Sequence, residues 1–78
     1  MDIPEIDLHG LTLDEALSEV EREINHEFIQ ETEDRRMRFV VGWGYVLREN
    51  IEEYLVVHPL VKEIRADGAS LSIILEDL

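Results

Sequence analysis

Residues 38–50 read "RFVVGWGYVLREN". A β-branched run ends at two glycines flanking a tryptophan, and a helical pattern begins at once. Such an order predicts a strand, a tight loop and a helix whose N-terminus opens onto the loop. Loops of this layout often hold phosphate on their amides. The surrounding chain opposes that use, with 19 Asp plus Glu against 7 Lys plus Arg and a formal charge of −12.

Working outward, "EIDLHG" (residues 5–10) reads as a short strand and a turn at Gly10. Thr12 and Glu15 form a capping box, and Leu13, Ala16, Leu17, Val20, Ile24 and Phe28 recur at three and four. That spacing predicts a helix of about five turns. Its other face carries Glu19, Glu21, Glu23, Glu27 and Glu31 as a solvated acidic stripe. "ETEDRR" (31–36) reads as a polar loop, and "MRFVV" (37–41) as the second strand. The second helix is expected from Tyr45 to Val57, with Leu47, Ile51, Tyr54 and Leu55 on one face, and Pro59 stops it. "LVKEIRA" (60–66) and "SLSIILE" (70–76) read as strands of a hairpin turning at Asp67-Gly68.

The order β-α-β-α-β-β predicts an α/β (α+β) domain over residues 1–78: a two-layer sandwich of a four-stranded mixed sheet and two helices. Leu17, Val20, Ile24 and Phe28 are expected to meet Val40, Ile51, Leu55 and Ile73 in the core. At 78 residues and 45 % hydrophobic the chain suffices for one small core. It holds no cysteine, which excludes disulfides, thiolate chemistry and cysteine zinc sites. "MDIPEIDLHG" lacks the basic and apolar regions of a signal peptide, and no apolar run is long enough to span a membrane. A soluble, cytoplasmic domain is expected, kept soluble by its acid.

A strand-helix-strand order usually gives a parallel crossover, whose two strands end at the same sheet edge. His9-Gly10 and Gly42-Trp43-Gly44 should therefore meet there, where α/β sheets commonly bind ligands. His9 has the chemistry of a general acid or base. Asp7 can orient it or bind a divalent ion; structurally, Asp7 ties the turn and His9 bonds backbone. Gly42 and Gly44 allow close approach or positive φ, and are either amides aimed at phosphate or a tight turn only. Arg48 is the nearby cation, offset by Glu49, while Arg35, Arg36 and Arg38 lie at the opposite end of their strand. Trp43 can stack on a base, close over His9 and Leu11, or anchor a protein partner. His26 and His58 read as surface or helix-end residues. The pattern calls for no metal site and no cofactor.

"IDLHGLTLDEAL", "FVVGWGYVLREN" and "YLVVHPLVKEIR", in that order, resemble the Smr (small MutS-related) domain family. In that family an L-D-x-H-G motif ends the first strand, and an H-G-x-G motif ends the second. The resemblance implies a fold like the C-terminal domain of translation initiation factor three, and binding or cutting of DNA or RNA. It implies catalytic roles for Asp7 and His9 and nucleic-acid contacts at Gly10, Gly42 and Gly44; Trp43 and Arg48 join the expected contacts from their own chemistry and their place beside the loop. Two departures stand out: Val41 replaces the second motif's histidine, and Trp43 takes its variable, often basic position. The segment after Gly44 is one residue shorter than the family pattern, and "ADGAS" replaces a longer hairpin loop. The expectation is a divergent nucleic-acid-binding domain with weak or lost nuclease activity. The alternative is a protein-interaction module using the Trp43 loop.

Overall fold

The computed structural model describes residues 3–30 and 35–76. Glu31 and most of the expected "ETEDRR" loop lie outside them. The elements are β1 (Glu5–Asp7), α1 (Leu13–Gln30), β2 (Arg36–Val40), α2 (Tyr45–Val56), β3 (Val61–Asp67) and β4 (Ser70–Leu75). They form a four-stranded mixed sheet in the order β1-β2-β4-β3, with β1 parallel to β2 and the other pairs antiparallel.

Both helices supply residues to a core on one sheet face. Ala16, Val20 and Ile24 of α1 and Ile51 and Leu55 of α2 are buried with Met37, Phe39, Leu71, Ile73 and Leu75 of the sheet. Leu17 and Phe28 are only partly buried, packed against that cluster. Val40 departs from expectation. Side chains alternate faces along a strand, and β2 sends Met37 and Phe39 inward, with Val41 buried just past its end, leaving Val40 among the residues of the other face. On that open face, Arg36, Arg38, Glu63, Arg65, Asp67 and Ser72 help line a recess of about 540 Å³, with cations and carboxylates interleaved.

The expected capping box is present. Glu15 accepts from the Thr12 amide at 2.9 Å, and Thr12 Oγ1 from the Glu15 amide at 3.2 Å, so the side chains satisfy two amides at the start of α1. The hairpin turns one residue later than expected. Asp67 pairs with Ser70, leaving Gly68-Ala69 as a two-residue loop. Gly68 has φ +60° at its first position, which favours glycine as in a type II′ turn.

Candidate functional site

The β1–α1 connection is built to display His9. Leu8 is fully buried and anchors the turn from beneath. The Leu11 amide donates to the Leu8 carbonyl at 3.2 Å, closing a four-residue turn whose third residue, Gly10, has φ +88°. A turn with positive φ at its third residue needs glycine there, and it leaves its second residue, His9, at the corner.

Asp7 both ties this turn and orients the ring. Its Oδ1 accepts the His9 amide at 3.0 Å and contacts His9 Nδ1 at 2.8 Å. A carboxylate acceptor makes Nδ1 the donor in that bond, so the neutral ring keeps a free lone pair on Nε2. Both side chains stay open to solvent, 69 % exposed for His9 and 62 % for Asp7. The bond to the His9 ring, followed by that to its amide, lowers the Asp7 carboxyl below its ordinary 3.8.

β2 ends beside them. Asp7 pairs with Val40, and the Leu8 amide donates to the Val40 carbonyl at 2.8 Å. Gly42 has φ +77°, and a β-carbon built on it would stand 3.4 Å from His9 Cβ. The backbone angle is what calls for glycine there, while the contact itself lies at the near end of the ordinary van der Waals range. The structure thus brings Asp7, His9 and Gly42 together at one edge.

Three expected contributors behave differently. The Gly42 amide donates to the Ala69 carbonyl at 3.0 Å, so it is committed to the β3–β4 turn and is not offered to phosphate. Gly44 is the N-cap of α2, with extended angles of φ −67° and ψ 133° open to any residue. Arg48 lines a small recess of about 210 Å³ with Tyr45, Glu49 and Glu52, so two carboxylates share its surroundings.

Trp43 is 81 % exposed, followed by exposed Tyr45 and Val46. Val41 is only 2 % exposed and belongs to the core. In this backbone its side chain points beneath the loop, not into the solvent-open space beside His9. Among the described residues, no group of three or more His, Asp or Glu could hold a metal ion.

A second polar cluster escaped the sequence reading. His58, expected at the surface or a helix end, stands just past the end of α2 and is 8 % exposed. Its Nε2 lies 2.9 Å from Glu21 Oε2, and the Leu60 amide donates to its Nδ1 at 3.1 Å. The Tyr54 hydroxyl donates to the same Glu21 oxygen, and the Tyr54 and His58 rings meet edge-on at 5.5 Å. Glu21 is therefore a bridge from α1 to α2, not merely part of a solvated stripe. The available signal was Tyr54 standing four residues before His58, a helical neighbour spacing. His26 is exposed, as expected.

With this geometry in place, a family model for the Smr domain matches residues 6–70. The chain belongs to the Smr domain family. That family is related to nuclease and nucleic-acid-binding domains. The Smr domain of Thermus thermophilus MutS2, known from a crystal structure, superimposes with a TM-score of 0.88 at 26 % identity, covering 96 % of this chain and all of that one. The solution structure of the SMR domain of NEDD4-binding protein 2 shares the fold, with a TM-score of 0.76 at 23 % identity over 99 % of this chain and 90 % of that one. No curated protein matches the chain. No helix among the described residues is long and apolar enough to cross a membrane.

Proposed function

We propose that this Smr domain binds nucleic acid at the edge formed by the ends of β1 and β2, and that its nuclease activity is weak or lost. The observation that carries the reading is the Asp7–His9 pair: a solvent-open imidazole, oriented by a carboxylate at 2.8 Å, beside the backbone of Gly42. His9 Nε2 is the group able to take a proton from an attacking hydroxyl or water, and Asp7 holds the ring for that task. Phosphodiester cleavage also needs charge stabilisation on the phosphate and help for the leaving oxygen. Here the loop tip carries Trp43 where the family often has a cation, and Gly42's amide is already bonded to Ala69. The position of the motif's histidine holds Val41, a core residue. Binding with little turnover is the chemistry these residues support.

The test is a salt series of nucleic-acid binding, together with nicking of plasmid and structured RNA with and without divalent metal. Binding that weakens on Asp7→Ala or His9→Ala, with little cleavage, is the expected result. Efficient cleavage by the unaltered domain, lost on His9→Ala, would overturn the inactive reading. Absence of binding even at low salt would overturn the nucleic-acid reading itself. The exposed run Trp43, Tyr45 and Val46 favours a second reading, a protein-interaction module. Salt-tolerant binding of a protein, abolished by Trp43→Ala, would replace the first reading with this one.

A further inference from the structure

Trp43 is held in place without being buried. The Val41 and Gly42 amides both donate to the Ala69 carbonyl, at 2.9 and 3.0 Å, so the loop that carries Trp43 is fastened to the β3–β4 turn. On that turn, a β-carbon built on Gly68 would stand 3.8 Å from Trp43 Cη2, an ordinary contact distance. The outer edge of the indole therefore lies beside Gly68, while the side chain remains open to solvent. Large aromatic groups left exposed on a fastened loop provide a flat apolar surface at little further cost in ordering.

Resting on the nucleic-acid reading above, we propose that this surface is a stacking platform for an unpaired base, so that the preferred ligand is single-stranded. Duplex binding is dominated by neutralising phosphates with Lys and Arg. A domain of net charge −12, whose loop tip is tryptophan, is poorly equipped for that. Single strands carry phosphates as well, but every base in single-stranded DNA or RNA has a face to offer to an indole, whereas duplex bases are already stacked on one another. Trp43 is the residue that sets this preference, and Asp7 and His9 stand at the same sheet edge.

Trp43 is the chain's only tryptophan, so its fluorescence reports directly on the platform. Unstructured DNA and RNA oligonucleotides of about twelve bases, within common site sizes, are titrated beside a duplex of the same length. The single strands should quench Trp43 at roughly tenfold lower concentration than the duplex, taking about 1.4 kcal/mol as a factor of ten. Quenching by one sugar type alone would identify DNA or RNA as the source of the base and still support the platform. By anisotropy of labelled strands, Trp43→Ala should weaken binding by about five- to 150-fold, and Trp43→Phe by less, since a smaller ring still stacks. Thermal melting of each variant checks that it is folded. Unchanged affinity in folded Trp43→Ala, or equal quenching by duplex, would overturn the platform while leaving nucleic-acid binding intact. No binding of either form at low salt would overturn both proposals.

Discussion

Asp7 Oδ1 serves two donors of the same residue, the His9 amide and ring, and each favours the carboxylate form. Removing the ring removes the larger of the two. The Asp7 carboxyl of His9→Ala should therefore titrate closer to its ordinary 3.8 than in the parent protein, followed by NMR across the acid range. An unmoved midpoint would mean that the ring does not hold the carboxylate in solution. At this scale "DLHG" was legible because a turn with positive φ admits so few residues, and the capping box because its spacing is fixed. The fate of single atoms was not. Nothing in "VGWG" reveals that Gly42's amide is taken by Ala69, since the acceptor stands 27 residues away (69 − 42).

Between elements, periodicity together with turn and capping signals located all four strands and both helices, but periodicity is silent about phase when a run is apolar throughout. "FVV" fits a strand in either register, and a shift of one residue exchanges Val40 for Phe39 in the core. Phe39→Ala should cost about 3–5 kcal/mol, enough to threaten folding in so small a domain. Phe28 is half-buried and interacts with Arg35, whose guanidinium carbon lies 5.1 Å from its ring centre, so Phe28→Ala should cost clearly less in urea melts. Equal losses would contradict the assigned face of β2. The bridge between helices makes a prediction about pH. Burial, with Glu21 beside it, raises the Tyr54 hydroxyl to about 12. A raised value means that its stabilisation is complete below the unfolded value of 10.0 and is lost as pH climbs through about 12. Glu21 runs the other way. Its hydrogen bond from Tyr54 leads the causes that lower it below 4.5, so its contribution is present above 4.5 and is lost as pH falls through the folded value. Tyr54→Phe should flatten the alkaline loss between about pH 10 and 12 and bring the Glu21 titration back toward 4.5, both read from melts and NMR across pH.

Taken whole, the molecule carries its net charge of −12 on a framework with a radius of gyration of 11.5 Å. Like charges at that density repel within about a Debye length, roughly 10 Å at 0.1 M salt, and the folded state suffers more than the extended one. Moderate sodium chloride should raise the melting temperature. A fall would show that ion pairs such as Arg38–Glu5, at 3.5 Å, outweigh the repulsion. The same acidity was legible as composition, yet it gave no indication that Arg36, Arg38 and Arg65 would gather with Glu63 and Asp67 on the open sheet face. That grouping requires the strand order β1-β2-β4-β3, which brings segments distant in sequence into one row.

The carbonyl of Ala69, shared by the amides of Val41 and Gly42, also bears on redesign. That one oxygen joins the strand end that precedes the Trp43 loop to the turn of the last hairpin. A longer hairpin would carry the acceptor away and strand two amides at the end of β2. The end of β2 and the hairpin turn therefore have to be altered as a pair. A chimera that borrows the standard second motif from a relative should need that relative's hairpin as well.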